Sequence, residues 1–279
     1  MATSAAPVAD VLLVRYGLAA VVCGLIVLAG PDRRCTRDEL AVGCLLGVTL
    51  AAVLIVETTG VARTSAANAG VIISLTIVLT PVLEAGHGRR LPPSFFVAAG
   101  VCVAGVTVLV CGSGLSRPGT GDALMVLAAV IRAVHLVLVA RLTAGRSVRP
   151  LHLTAVQMLV GTALCACGAA GQLARLSAVG AGGWIALLYL AVLCSVFAFL
   201  AQTWAVQRTS ASRAGLLLGT EPIWAVATGV VVGGERLSVV AMVGAVLVIG
   251  GVFKGQSVER AAREGREDRA CPTRTPIAA

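Results

Sequence analysis

Charge is scarce in this 279-residue chain, and so are aromatic rings: Asp, Glu, Lys and Arg make up 13% and Phe, Trp and Tyr 4%. A soluble domain carries about 25% charged residues, so a fold wrapped on all sides by a solvated polar surface is excluded. No CxxC, HExxH, GxSxG or GxxxxGK[ST] occurs, so no zinc protease, serine hydrolase or ATP motor is signalled. "GTGD" (119–122) echoes the GxGD of intramembrane aspartyl proteases, but that chemistry needs a second aspartate within the membrane. Asp10, Asp32, Asp38 and Asp268 all fall in loops, ends or the tail, so Asp122 reads as a helix-start residue and no enzyme is expected. The first thirty residues have no basic n-region, and Arg15 interrupts their apolar run, so they do not read as a signal peptide.

What is present is apolar. Hydrophobic residues make up 58% of the chain and the mean hydropathy is +0.95. Most of the nine cysteines (Cys23, Cys44, Cys102, Cys111, Cys165, Cys167 and Cys194 among them) lie inside apolar runs, where free cysteine acts as a small hydrophobe. Nine runs, near 11–29, 39–59, 66–85, 94–112, 121–140, 151–171, 183–204, 211–233 and 238–254, approach the roughly 20 residues needed to cross a hydrocarbon core. Residues 255–279 are polar and read as a solvated tail with at most one short helix.

The net charge of +9 is a topology signal rather than a nucleic-acid footprint. Arg33, Arg34, Arg37, Arg89, Arg90, Arg141, Arg146, Arg149, Arg208, Arg213 and Lys254 fall in one set of alternate loops, with the tail's five arginines. The other set holds only Arg63, Arg117, Arg175 and Arg236, while Arg15 and Arg132 lie within spans. Basic loops stay cytoplasmic, so a cytoplasmic C-terminus follows, with a multi-pass protein in the cell (inner) membrane. Nine spans then leave the N-terminus outside.

"RTSAANAG" (63–70) returns as "RTSASRAG" (208–215), with Thr58/Thr203, Val61/Val206 and Glu57/Gln202 matching at the same offset. Thr-Ser before an apolar run is a common helix start, but capping alone does not explain the matching flanks. The loop count puts the copies on opposite membrane faces. Inverted repetition is the layout of many secondary transporters.

The segment "QTWAVQRTSASRAGLLLGTEPIWAVATGVVVGGERLSVVAMVGAVLVIGGV" (202–252) resembles the end of the second repeat in the drug/metabolite transporter superfamily, the EamA-type ten-helix transporters. The shared features are the Thr-Ser-Ala phrase, Glu221-Pro222, the turn Gly234-Glu235-Arg236-Leu237 and a Gly-rich last span. "ETTGVARTSAANAGVIISLTIVLTPVLEA" (57–85) resembles the matching part of the first repeat, and "GDALMVLAAVIRAVHLVLVARL" (121–142) the opening helix of the second. The resemblance implies an all-α polytopic membrane protein of two inverted-topology helical repeats, with about nine transmembrane helices where the family has ten. Residues 1–116 would form the first repeat and 117–254 the second, with 255–279 as a cytoplasmic tail. The segment "APVADVLLVRYGLAAVVCGLIVL" resembles the family's second helix, with Arg15 at its usual arginine. A first helix is therefore expected to be missing, through a late start codon or a truncation. "GRRLPP" (88–93) replaces the first repeat's Gly-Glu-Arg-Leu turn, and Arg132 stands where an aromatic is common.

An ionisable residue deep in a bilayer costs roughly 2.5–3.5 kcal/mol on insertion scales and is a functional candidate by default. Glu221, beside the helix-breaking Pro222, suits a proton or a cationic substrate group; a packing pair with a neighbouring helix is the alternative. Arg132 and His135 share a helix face and read as an anion-binding wall or a charge partner for Glu221; His135 alone fits a hydrogen-bonded interior residue equally well. Glu57 and Gln202 hold equivalent places near span ends, and Asn68 and Thr220 offer hydrogen bonds. Trp184, Trp204, Tyr16 and Tyr189 read as interfacial anchors, and Gly43/Gly47 and Gly229/Gly233 as helix-packing notches. The resemblance implies a secondary transporter, an exporter of a small metabolite or drug working by alternating access. A truncated, transport-incompetent or accessory membrane protein is the alternative. Lipid and a small-molecule substrate are the expected partners, with no cofactor, metal or nucleic acid; monomer and homodimer both fit.

Overall fold

The structure, a computed structural model, describes residues 8–64, 66–85, 91–110, 119–168, 180–218, 220 and 239–270. Among them the regular structure is entirely helical: α1 (Val8–Ala29), α2 (Arg37–Val61), α3 (Ala66–Ser74), α4 (Thr76–Ala85), α5 (Pro93–Val110), α6 (Thr120–Thr143), α7 (Pro150–Gly168), α8 (Ala181–Ala191), a π-helical turn (Val192–Phe197), α9 (Ala198–Arg208), α10 (Ala211–Leu218) and α11 (Val239–Ala270). Among the described residues, six helices are long and apolar enough to cross a membrane: Asp10–Ala29, Arg37–Val61, Thr120–Thr143, Pro150–Cys167, Ala181–Arg208 and Met242–Ala262. Asn68–Glu84 and Pro93–Val108 are shorter apolar helices. The all-α, polytopic, duplicated architecture expected from the sequence is the one found.

Local chemistry explains where helices start and bend. Thr36 caps α2 by accepting from the Glu39 amide at 3.2 Å, while the Glu39 carboxylate accepts from the Thr36 amide at 2.9 Å. After α6 the chain reverses through Gly145, whose φ of 70° is open to glycine without steric cost. The apolar run 66–85 forms two helices jointed at Leu75. There the amides of Leu75 and Val78 make tight i−3 bonds of 3.1 and 3.0 Å to Ile72 and Leu75, the Ser74 hydroxyl bonds back to Val71, and Pro81 withdraws one amide from α4. Between α8 and α9 the ladder widens to a π turn at Val192–Phe197 without ending the helix.

Packing shows the duplication directly. At the offset of the repeated phrase, α1 corresponds to α7, α5 to α11, and α3–α4 to α10. These equivalents pack on each other: α1 on α7, α5 on α11, α4 on α10. The α2–α7 contact is likewise mirrored by α1 against α8 and the π turn. A pseudo-twofold relation between inverted halves produces this pattern. The close approaches need small residues. A Cβ on Gly43 would meet Val156 at 2.7 Å and one on Gly47 would meet Val160 at 2.7 Å, so these two glycines are notches on α2 for α7. Gly229 and Gly233 lie outside the described residues.

Two expectations change. The polar segment after residue 254 is not merely a solvated tail, because α11 continues without a break to Ala270. Ala, Glu and Arg are good helix formers, and Glu259, 3% exposed, anchors the extension on Arg213 at 3.4 Å. Tyr16 is not an interfacial anchor: it is 1% exposed and lies over Gly161, whose missing side chain makes room for its ring. Trp184, Trp204 and Tyr189 are exposed, and Arg208 stacks on Trp204 with 5.0 Å from guanidinium to ring centroid.

Candidate functional site

Charged side chains on α1, α2 and α6 come within electrostatic range of one another. Arg132 is midway along α6, and its Nη1 lies 3.6 Å from Glu57 Oε2 on α2. Both side chains are largely buried, and Glu57 Oε2 has no hydrogen-bond partner among the described residues. Arg15 on α1 is within electrostatic reach of both Glu57 and Arg132. It is held from the other side by the π turn. Its Nε donates to Ser195 Oγ at 2.7 Å and its Nη2 to the Cys194 carbonyl at 3.0 Å. A widened turn redirects backbone carbonyls, which is how a helix can offer an acceptor to a guanidinium inside a membrane.

His135, one turn from Arg132 and 2% exposed, pairs its Nδ1 with Thr49 Oγ1 at 2.8 Å. The Thr49 hydroxyl also donates to the Leu46 carbonyl at 2.9 Å.

The remaining sequence candidates scatter. Asn68 is buried at the start of α3, where its Nδ2 donates to Asp122 Oδ1 at 3.1 Å. Gln202 is half-buried on α9, and the Thr220 hydroxyl donates locally to the Leu217 carbonyl at 2.7 Å. Glu221, Pro222 and the turn 234–237 lie outside the described residues. Among the described residues, Arg132 pairs with Glu57. No group of three or more His, Cys, Asp or Glu among the described residues could hold a metal ion.

Other polar contacts were less legible. Asp122 does begin a helix, accepting from the Gly119 amide at 2.7 Å, but it also accepts from Thr64 Oγ1 at 2.5 Å and from Asn68. Glu84 accepts from the Ser212 amide at 3.0 Å and from the Ser212 hydroxyl. At the opposite end of α2, the fully buried Glu39 accepts from Arg149 Nε at 2.8 Å, Nη2 at 2.9 Å and the Arg149 amide at 3.0 Å. These bonds, the side-chain bond foremost, raise the pKa of Arg149 above its ordinary value. Arg15 did carry a signal, as a lone charge in an apolar run. Glu84 carried none, since a carboxylate at a span end reads as facing headgroups.

Inverted duplicated halves, a broken span and buried charges between the spans together define the class: a polytopic membrane protein built like a secondary transporter. The comparisons with known proteins agree. The model of the EamA-like transporter family matches residues 1–111 and 119–254, and the chain belongs to that family, whose members carry out secondary transport. A solved crystal structure of a protein with 20% sequence identity matches 93% of this chain and 91% of its own, at a TM-score of 0.77, which shows the same fold. No curated protein matches the chain.

Proposed function

We propose that the chain exports a small metabolite or drug by alternating access, with Arg132, Glu57 and Arg15 lining the translocation path. The observation that carries this reading is the largely buried Arg132–Glu57 pair between α6 and α2, 3.6 Å apart, with one carboxylate oxygen left without a hydrogen bond among the described residues. Separating that pair inside a bilayer is costly. A polar substrate group or water entering between them supplies replacement partners, so the pair opens for a ligand and closes behind it. His135 sets the wall beside Arg132 through Thr49. Gln202 holds the place equivalent to Glu57, and Glu221 remains the candidate coupling or substrate-binding carboxyl from the sequence. The basic loops place the C-terminus in the cytoplasm of a cell-membrane protein.

The test is a metabolite comparison of cells and medium, with and without expression of the chain. Expression should shift one compound or a small set from cells to medium. Arg132→Ala, Glu57→Gln and Glu221→Ala at equal expression should abolish that shift. Undiminished export by both Arg132→Ala and Glu57→Gln would remove the site from the path.

A further inference from the structure

Among the described residues, the jointed span α3–α4 hangs on a buried carboxylate at each end. At the α3 end, Asp122 of α6, 8% exposed, accepts from Thr64 at 2.5 Å and Asn68 at 3.1 Å. Gly121 presses against the same stretch so closely that a Cβ there would sit 2.5 Å from the Arg63 carbonyl. At the α4 end, Glu84, 6% exposed, accepts from the amide and hydroxyl of Ser212 on α10, where Gly215 packs over Thr80. Thr64 and Asn68 belong to the first copy of the repeated phrase, and Ser212 to the second. Each copy is thus held by a carboxylate from the opposite half, and the two attachments lie at opposite ends of one span.

The elements around this span are tied elsewhere. Arg149–Glu39 and Arg15–Ser195 cross-link α7 to α2 and α1 to the π turn. The α3–α4 span takes part in neither of these ties, so it can tilt against them as one unit, its two ends moving in opposite senses. A buried carboxylate stripped of its donors is costly unless water reaches it. Each attachment is therefore stable closed and dry, or open and wet, but not open and dry.

We infer that Asp122 and Glu84 are positioning residues for transport, two latches at opposite membrane faces that set which face is open. They lie away from the Arg132–Glu57 pair and touch no substrate. The inference rests on the alternating-access reading above. Weakening one latch opens its own face, and because both faces share one span, it closes the other.

Hydrogen–deuterium exchange of the full chain in lipid nanodiscs tests this without any substrate. Asp122→Asn and the milder Thr64→Val, which leaves the start of α6 intact, should speed exchange at 60–64 and 119–125 by about tenfold, the loss of roughly one charge-assisted hydrogen bond. Both should slow exchange at 80–84 and 211–216. Glu84→Gln and Ser212→Ala should give the reverse pattern. Faster exchange confined to the mutated end, a rise at both ends, or no change in either variant of a pair overturns the inference. A chain that moves no metabolite yet shows the reciprocal pattern would sink the export reading alone.

Discussion

Two glycines at the crossing of α2 and α6 offer a matched pair of perturbations. Gly121→Ala places its Cβ 2.5 Å from both the carbonyl carbon and oxygen of Arg63 and 2.8 Å from the Thr64 amide nitrogen. All three are backbone atoms, so relief requires the end of α2 and the start of α6 to separate. Gly60→Ala on the facing helix meets Met125 Sδ at 2.9 Å and Cγ at 3.1 Å, the tip of an unbranched side chain, with its nearest backbone contact at 3.3 Å. Overpacking against fixed atoms costs about 1–3 kcal/mol, whereas alanine in a helix interior gains up to about 1 kcal/mol over glycine. At Gly60, in the last turn of α2, the propensity gain is small, but the neighbour is the flexible tip of Met125, which can give way, so little net change remains. At Gly121, in the first turn of α6, little helix propensity is gained and the clash dominates. Thermal unfolding in detergent should show Gly121→Ala about 2–6 °C below the parent, at roughly 2 °C per kcal/mol for a chain of this size. Gly60→Ala should stay within about 2 °C of the parent on the same scale. Equal losses for the two, or none at Gly121, would refute the claim that backbone contact closes this end of the molecule.

Ser195→Ala removes an acceptor from a largely buried guanidinium and should cost about 1.5–3 kcal/mol, the range for hydrogen bonds to charged groups, read by chemical or thermal unfolding; an unchanged midpoint would place Arg15 elsewhere. Arg149→Ala should lower the unfolding temperature more than Arg149→Lys, because lysine keeps the charge but not the fork that grips both Glu39 oxygens; equal losses would show that charge alone matters there. Gly47→Val should destabilise the α2–α7 contact through Val160, and a smaller residue at 160 should restore much of the loss in the double variant; additive losses would contradict that contact.

The site was only partly legible before folding. Arg132 announced itself by its cost in lipid, and the repeat paired Glu57 with Gln202. Neither showed that Arg132 meets Glu57, because helical spacing tells which residues share a face and not which helix lies opposite. The same blindness covered Asp122, whose role at the start of α6 was plain while its bonds to Thr64 and Asn68 were not. The length of α11 was misjudged for another reason. Polar composition resembles a solvated tail, and only Glu259 meeting Arg213 shows that this part of the helix is docked.

The sequence by itself determined the solvent, the number of apolar segments and the inverted duplication, since a bilayer demands long apolar helices and a duplicated unit leaves the same phrase twice. Tertiary structure alone decided which buried charge meets which, where the π turn forms, and that each copy of the phrase is held by a carboxylate from the opposite half. Those outcomes depend on contacts between residues tens to hundreds of positions apart. Such contacts are set by how helices pack against one another, and no local pattern encodes them.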